Sequence, residues 1–275
     1  MRIIFYASDK PREQKLAKAF KVGAIRCGHR CKVLRSNAPI VASDLACVVG
    51  VKSKKRWFML QKAGIPVIMF DKGYSRHKCD GCWEYWRVSY NSHNPTLATL
   101  GRIEYGGRRF SQLDFSINRW RKSGDHILLA GSSEKYHNFY GLPEPNTFAQ
   151  GVVNELKKLT NRPITYRPKP SWRGALPITG ATLMKGKIPL LNDLSDCHAV
   201  ITHGSNTCFE AALLGIPSIV LGNGVVRSIS STELKDVENP CLGKRRRLFN
   251  ALAYHQWTLK EFESGLAFKT MELWI

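Results

Sequence analysis

Residues 196–222, DCHAVITHGSNTCFEAALLGIPSIVLG, constrain the fold more than any other part of the chain. An apolar run at 199–201 ends in a polar turn that contains glycine, and a helical pattern follows this turn. Gly-Ile-Pro then opens a second apolar run at 218–221. A strand, turn, helix and strand in this order have about the length of a parallel β-α-β crossover. The segment therefore predicts a parallel sheet with a functional edge at the turn.

The turn before this helix is suited to binding an anion. Unpaired backbone N–H groups and the helix dipole stabilise negative charge at a helix N-terminus. Glu210 lies about one turn into the helix, where it can reach a ligand bound at the tip. A phosphate attached to a hydroxyl-bearing group, such as a nucleotide ribose, fits this combination; the alternative is an ordinary crossover that binds nothing. The residues of the turn are His203, Gly204, Ser205, Asn206 and Thr207.

Two further polar loops follow predicted strands in the same half of the chain. The loop GSSEK comes after the predicted strand 126–130, and YRPKP comes at the end of the predicted strand 164–167. Ligands in open α/β sheets bind beyond the carboxyl ends of the strands, so the loops should converge on one crevice. A nucleoside diphosphate fits them, although each loop alone is also typical of turns and solvated charges. The candidate donor-binding residues here are Ser132, Ser133, Lys135, Arg167 and Lys169.

The first half of the chain alternates strands and helices in the same way. Apolar runs predict strands at 2–6, 32–34, 45–50 and 66–70, with helices between them. This alternation predicts an open parallel sheet with helices on both faces. The loops 7–12, 51–54 and 71–78 should then line one cleft. The fold class is therefore α/β, with two Rossmann-like domains in tandem.

These features together resemble the GT-B glycosyltransferases. The resemblance is carried by the two Rossmann-like halves, the loops GSSEK and YRPKP, the turn-helix HGSNTCFEA and a helix-like C-terminal segment. It implies an acceptor domain at 1–122, a nucleotide-sugar domain at 123–247 and a segment at 248–275 that crosses back to the first domain. It also implies a diphosphate at the helix tip, a ribose at Glu210 and no need for a metal. Nucleotide-sugar epimerases share similar units.

Charge is distributed unevenly along the chain. The formal net charge is +21, and residues 1–122 hold 25 Lys and Arg against 8 Asp and Glu. Such an excess indicates a polyanionic partner, which is either nucleic acid or an anionic membrane surface. The predicted phosphate-contacting residues are Lys54, Lys55, Arg56, Arg76, Lys78, Arg108 and Arg109.

A basic acceptor domain joined to a GT-B donor domain resembles the phage DNA glucosyltransferases. This resemblance implies transfer of a sugar, with UDP-glucose as the expected donor, to 5-hydroxymethylcytosine or 5-hydroxymethyluracil in double-stranded DNA. The modified base has to leave the stack, so a wedge residue is expected. The candidates for the wedge are Trp83, Tyr85 and Trp86, which could equally pack within a loop.

The transfer needs a base that removes the proton of the acceptor hydroxyl. Asp71 ends the predicted strand 66–70 and is the first candidate. Asp9 follows the first strand and is the second, and Glu13 is the third. A helix cap or an ion pair with Lys72 or Arg76 is the alternative role for Asp71.

The remaining composition predicts a soluble cytoplasmic monomer, located in the host cell if the protein is viral. The apolar run at the N-terminus is too short for a signal-peptide core, and no segment approaches the roughly 18 apolar residues of a membrane span. The eight cysteines should be reduced. One CxxC at 79–82 and one CxxxC at 27–31 form a weak zinc pattern, so no metal site is predicted.

Three other functions remain open at this stage. The same chemistry could act on a cell-surface polysaccharide or a lipid-linked glycan, and the basic half would then face an anionic membrane. That function predicts an exposed amphipathic helix with bulky apolar side chains, which residues 10–25 do not provide. A DNA-binding protein with an inactive Rossmann scaffold would leave the anion loops unused. An epimerase would leave the charge asymmetry unexplained.

Overall fold

A computed structural model describes residues 1–74, 78–79, 82–83, 85–101, 105–113, 115–184 and 189–275. The chain forms two compact units. Unit 1 consists of residues 1–113 and 249–275, and unit 2 consists of residues 114–248. Among the described residues, no helix combines the length and the apolar character that a bilayer crossing requires.

Unit 1 is built on a six-stranded sheet with the order β13-β7-β4-β3-β1-β2. Strands β1 to β4 are parallel, and β7 runs antiparallel to β4. The elements in chain order are β1 (Arg2–Ala7), α1 (Pro11–Arg26), β2 (Arg30–Arg35), β3 (Leu45–Val49), α2 (Lys54–Lys62), β4 (Val67–Lys72), β5 (Lys78–Cys79), β6 (Cys82–Trp83), β7 (Tyr85–Tyr90), α3 (Leu97–Leu100) and α4 (Arg108–Ser111).

Side-chain alternation along β1 places α1 and α2 on opposite faces of this sheet. Phe5 packs edge-on against Phe20 of α1, with 5.4 Å between the ring centroids. The next residue, Tyr6, points the other way and receives the guanidinium of Arg56 from α2 at 4.1 Å from its ring centroid. Strands buried on both faces require near-continuous apolar runs, which explains why β3, LACVV, is buried throughout.

Unit 2 is built on a five-stranded parallel sheet with the order β10-β9-β8-β11-β12. Its core joins strand residues such as Ile127 and Ile201 to Val153 of a covering helix. The elements are β8 (His126–Ala130), α5 (Glu134–Tyr140), α6 (Pro145–Leu156), β9 (Ile164–Arg167), β10 (Thr182–Leu183), α7 (Leu190–Asp193), β11 (Cys197–Thr202), α8 (Thr207–Leu213) and β12 (Ser218–Val220).

The C-terminal segment adds both a strand and helices to unit 1. Its elements are α9 (Arg246–Ala253), β13 (Gln256–Thr258), α10 (Leu259–Glu263) and α11 (Leu266–Met271). Strand β13 pairs antiparallel with β7, and Phe262, Phe268 and Trp274 are fully buried in the unit 1 core. The predicted α/β fold with two Rossmann-like domains and a returning C-terminal segment is confirmed. In addition to its helices, this segment contains a strand that was not predicted, β13, which forms an edge of the sheet.

Candidate functional site

The sheet of unit 2 has its topological switch point between β8 and β11. From β8 the chain proceeds outward through β9 and β10, then returns to the other side of β8 as β11 and β12. Ligands of doubly wound sheets bind where the direction of winding changes, beyond the carboxyl ends of the strands. The segments that follow β8 and β11 are 131–133 and 203–207. The third predicted loop begins at the adjacent end of β9, where the Gly131 N–H donates to the Arg167 carbonyl at 2.9 Å, so the three predicted donor loops lie at one edge of the sheet.

The turn after β11 is organised by the hydroxyl of Thr202. This hydroxyl donates to the carbonyl of Ala130 at 3.0 Å and accepts from the N–H groups of Gly204 at 3.2 Å and Ser205 at 2.9 Å. Two of the backbone donors predicted to bind an anion are therefore directed into the protein. The N–H of Thr207 donates to the Ser205 hydroxyl at 3.3 Å. Anion binding at this turn would have to rely on the side chains of 205–207 more than on its amides.

His203 is held in an aromatic wall. Its Nδ1 lies 3.0 Å from the hydroxyl of Tyr136, and its ring contacts Tyr140 and Phe148. Burial lowers the pKa of His203, and the nearby charges of His137 and Arg227 lower it further. The ring is therefore neutral near pH 7. In the tautomer in which Nδ1 accepts from the Tyr136 hydroxyl, the proton of the neutral ring is on Nε2, which can then donate to a ligand.

Two glycines allow this close packing. A Cβ at Gly222 would lie 2.1 Å from the His203 ring, and a Cβ at Gly204 would lie 2.3 Å from the Tyr136 hydroxyl. Real Cβ atoms do not approach so closely. A larger residue would therefore displace the His203 ring from Gly222 or the Tyr136 side chain from Gly204. Gly204, the glycine of the predicted anion turn, therefore leaves room for the Tyr136 hydroxyl in the aromatic wall of the site.

A small pocket opens at the switch point. It has about 10 Å³ of free volume, room for about one water molecule. Its lining includes Gly131, Ser132, His137, Phe148, Tyr166 and His203. The buried Tyr166 hydroxyl has no hydrogen-bond partner among the described residues, and burial, with a smaller effect of Glu144, raises its pKa to about 12. An uncharged, unsatisfied hydroxyl at a switch point is suited to bind a polar ligand group.

The other predicted donor residues are placed differently. Arg167 forms an ion pair with the buried Asp193, so its charge is already compensated within unit 2. Lys135 and Lys169 are exposed, and Glu210 is half-buried in the first turn of α8. Ser133 stands at the N-cap position of α5 but forms no side-chain cap hydrogen bond. Thr202, Tyr136 and Phe148 were not predicted, because their roles arise from tertiary packing; the only local signal was the run of aromatic residues after GSSEK. Tyr166 belongs to the predicted loop YRPKP, but its sequence context assigned it no role.

In unit 1, Asp71 lies in a cluster with two basic side chains. Its Oδ2 is 3.2 Å from the Arg87 guanidinium and 3.2 Å from Nε2 of His93, and its Oδ1 accepts from the Lys72 N–H at 2.7 Å. Burial alone would raise the pKa of Asp71. The hydrogen bond from His93 and the charge of Arg87 outweigh it and hold the pKa far below its usual range. A carboxylate stabilised in this way is a weak proton acceptor.

The other base candidates have contrasting environments. Glu13 is buried, pairs with Lys52 and accepts from the Ser8 hydroxyl at 2.6 Å. Burial opposes ionisation of Glu13, but the contacts to Lys52 and Ser8 leave its pKa below the usual value. Asp9 is exposed directly after β1. The environment of Glu13 favours a structural role, whereas Asp9 is accessible.

The predicted DNA-contacting residues do not form one uniform surface. Lys55 and Arg108 are exposed and Lys54 is half-buried, whereas Arg56 stacks on Tyr6 and donates to the Ser36 carbonyl at 2.9 Å. Arg76 lies outside the described residues, as do the side chains of Lys78 and Trp83. Of the other two wedge candidates, Tyr85 is half-buried and Trp86 is buried beneath Arg12.

Arg109 is a structural residue, and the prediction that it contacts phosphates is therefore wrong. The side chain is buried, and its guanidinium lies 3.6 Å from the ring centroid of Trp257. It pairs with Glu261 at 2.6 Å and donates to the carbonyls of Ala253 and Gln256. These contacts hold the C-terminal segment in place.

Two solved structures of KpsC from Thermosulfurimonas dismutans resemble the chain. The β-Kdo 2,4-transferase superposes with a TM-score of 0.54 at 13% identity and covers 94% of this chain and 92% of that chain. The β-Kdo 2,7-transferase superposes with a TM-score of 0.56 at 11% identity and covers 98% and 99%. At these identities the similarity concerns the fold, which is GT-B. No protein-family model and no curated protein match the sequence, and neither KpsC structure is a DNA glucosyltransferase.

Proposed function

We propose that the chain is a glycosyltransferase that binds a nucleotide-sugar at the switch point of unit 2. The observation that carries this proposal is the small pocket at the switch point, which has room for one polar group of the donor. The hydroxyl of Tyr166, which has no hydrogen-bond partner among the described residues, and the neutral ring of His203 both line it. Ser132, also in the lining, supplies a second hydroxyl. The GT-B fold supports the same assignment, because its second domain is where the resemblance places the donor.

The departing diphosphate needs positive or hydrogen-bonding groups around it. Because the Gly204 and Ser205 amides are bound to Thr202, we assign this role to the side chains of Ser205, Asn206 and Thr207. The exposed amines of Lys135 and Lys169 are mobile cations that can close on the phosphates. We assign to Glu210 the binding of the ribose hydroxyls. The mechanism proposed from these groups requires no metal.

A glycan is the first candidate for the acceptor, either a cell-surface polysaccharide or a lipid-linked glycan. Both similar structures are named as β-Kdo transferases, which favours a glycan over a nucleic acid.

A base must still remove the acceptor proton. Asp9 is accessible, whereas Asp71 is held ionised by Arg87 and His93. We therefore rank Asp9 above Asp71 for this role.

Hydroxymethylated DNA is the second candidate acceptor, with UDP-glucose as its expected donor. It is favoured by the basic edge of unit 1, where no Asp or Glu occurs between Glu13 and Asp44. The exposed cations of this edge come from α1 and β2, and their side chains are distributed over a helix surface and an edge strand. They are Lys15, Lys18, Lys21, Arg26, Arg30, Lys32 and Arg35.

Donor and acceptor can be identified in one experiment. The protein is incubated with UDP-, GDP-, dTDP- and CMP-sugars and with each acceptor class in turn, and products are analysed by mass spectrometry. The proposal expects one sugar mass added to a glycan or lipid-linked glycan. Addition to hydroxymethylated DNA would select the second candidate. Binding of no nucleotide-sugar, measured by calorimetry, would contradict the assignment of the donor site.

The pocket itself can be tested with a pair of glycine substitutions. A Cβ at Gly131 would lie 3.1 Å from the Tyr166 hydroxyl, whereas a Cβ at Gly151 on α6 meets nothing within 4 Å. We expect Gly131→Ala to lower nucleotide affinity about tenfold or more by narrowing the pocket, a loss of about 1.4 kcal/mol. Gly151→Ala should leave affinity unchanged and stabilise the helix by about 1 kcal/mol. Calorimetry and thermal unfolding separate the two effects; equal affinities would rule out this pocket.

A further inference from the structure

The solvent side of α2 carries an unusual combination of side chains. Phe58 and Met59 are 52% and 47% exposed, and Lys55 and Lys62 flank them along the helix. The spacing of these four residues, i, i+3, i+4 and i+7, places them on one helical face. We call Lys55, Phe58, Met59 and Lys62 the α2 outer face.

The inner side of α2 already supplies the contacts that the fold needs. Trp57 is 8% exposed and Leu60 is fully buried, beside β3 and β4. The helix is therefore apolar on two sides, and the outer apolar side chains make no contribution to this core. In the part of the chain that the structure describes, Phe58 is the only aromatic side chain classed as exposed. Two large apolar side chains exposed side by side give this helix an apolar patch that the core of unit 1 does not use.

The charges of α2 also oppose its own stability. Lys54, Lys55 and Arg56 occupy the first turn, which contains no acidic residue, and Ser53 makes no side-chain cap hydrogen bond. Cations at a helix N-terminus are repelled by the helix dipole. No Asp or Glu occurs between Asp44 and Asp71 in the sequence. The local excess of positive charge therefore favours contact with an anionic partner outside the protein.

We propose that the α2 outer face docks on the surface of an anionic lipid bilayer. Phe58 and Met59 enter the boundary between headgroups and acyl chains, and Lys55 and Lys62 contact lipid phosphates at either side. A basic helix with bulky apolar side chains between its cations is the pattern of an interfacial helix. The proposal concerns where the protein is held and does not depend on the transfer reaction.

The orientation of the cations favours lipid over nucleic acid. Arginine is the residue best suited to bidentate recognition of phosphate and base edges. The one arginine of α2, Arg56, is turned inward onto Tyr6 and the carbonyls of Ser36 and Ala38. The lysines that remain are flexible point charges, and a thioether beside a phenyl ring offers nucleic acid no hydrogen bond. Flexible lysines beside a phenyl ring and a thioether suit the surface of a lipid bilayer, where mobile phosphates lie above hydrocarbon.

Vesicle sedimentation tests the proposal without donor or acceptor. The full chain should bind vesicles containing about one-third phosphatidylglycerol and bind pure phosphatidylcholine at least tenfold more weakly. The double variant Phe58→Ser/Met59→Ser should lose at least tenfold in partitioning. The matched control is Leu266→Ser/Leu273→Ser, because these side chains of unit 1 are 49% and 58% exposed; it should partition like the parent.

Charge reversal locates the contact. Lys55→Glu/Lys62→Glu should reduce binding to the anionic vesicles more than Lys15→Glu/Lys18→Glu, which reverses two exposed cations of α1. Thermal unfolding and nucleotide calorimetry of each variant check that folding and donor binding are unchanged. The proposal is overturned if the parent ignores anionic vesicles, or if Phe58→Ser/Met59→Ser binds them normally. Binding of duplex DNA at low salt, lost with the α2 reversal but not with the serine pair, would assign this face to nucleic acid.

Discussion

Tyr166 provides the sharpest test at the scale of single residues. A buried hydroxyl without a partner costs about 1–3 kcal/mol of stability, and the Tyr166 hydroxyl has none among the described residues. We expect Tyr166→Phe to keep or raise the melting temperature while lowering nucleotide affinity about five- to tenfold. Calorimetry and thermal unfolding measure both.

Ser218→Ala is the matched control for this prediction. Its hydroxyl is also buried without a partner in the described part of unit 2, but it does not line the pocket. The control should match the stability effect and leave nucleotide affinity unchanged. An unchanged affinity in Tyr166→Phe would mean that its hydroxyl does not contact the donor.

The contribution of Asp71 to the stability of the folded protein should depend on pH. Its pKa is lower in the folded protein than the usual value near 3.9. Its stabilising contribution is therefore fully present above about pH 4 and is lost as the pH falls through the folded pKa. We expect Asp71→Asn to be less stable than the parent at pH 7, with a smaller loss of stability on acidification between about pH 4 and 2. Urea unfolding at each pH measures this difference.

The same substitution separates structure from catalysis. If Asp9 is the base, Asp9→Asn should lower kcat about 10²–10⁴-fold, because the amide accepts no proton. Asp71→Asn should then retain most of the turnover of its folded fraction. A large loss of kcat in Asp71→Asn, with Asp9→Asn active, would restore Asp71 as the base.

At the scale of elements, Arg109 anchors the C-terminal segment. Its guanidinium joins α4 to Glu261 of α10 and to the carbonyl of Gln256 in β13. Removing one partner of a buried ion pair leaves the other uncompensated and typically costs about 3–5 kcal/mol; Glu261 is partly exposed, so we expect about 2–3 kcal/mol for Arg109→Met. Urea unfolding measures it. Arg108→Met, which changes an exposed neighbour, should cost less than about 0.5 kcal/mol.

The elements show what local pattern can predict. β8 and β11 were predictable because each contains an apolar run ended by a polar turn, and β9 was predictable because Ile, Thr and Tyr favour strands and a proline-rich loop follows them. β13 was not, because Gln256, Trp257 and Thr258 form too short a run, and their partner β7 is distant in sequence. The site follows the same rule. Its loops were predictable from the strand ends, whereas the wall of Tyr136 and Phe148 around His203 depends on tertiary packing.

At the scale of the whole molecule, each unit has its own hydrophobic core and the basic residues serve several purposes. Unit 1 packs around Phe5, Phe20 and Phe70, and unit 2 packs around Ile127 and Ile201. Some cations of unit 1 are structural, as Arg56 and Arg109 show, while Lys15, Lys18 and Lys21 of α1, the basic residues of β2 and the two lysines of the α2 outer face are exposed. Net charge alone therefore indicated a polyanionic partner without identifying which surface meets it.

Because each unit has its own core, we expect nucleotide binding to slow hydrogen exchange in unit 2 only. A ligand present at 100 times its Kd stabilises the state that binds it by about 2.7 kcal/mol, which slows exchange through that opening about 100-fold. We expect hydrogen exchange with bound nucleotide to slow in β8, β9 and β11 and at 131–133 and 202–207. Exchange in the unit 1 strands should remain unchanged, because their core is their own. Mass spectrometry of peptic fragments with and without nucleotide measures both. Protection confined to the ends of β1 and β3, with unit 2 unaffected, would place the donor in unit 1 and contradict the assignment of the pocket.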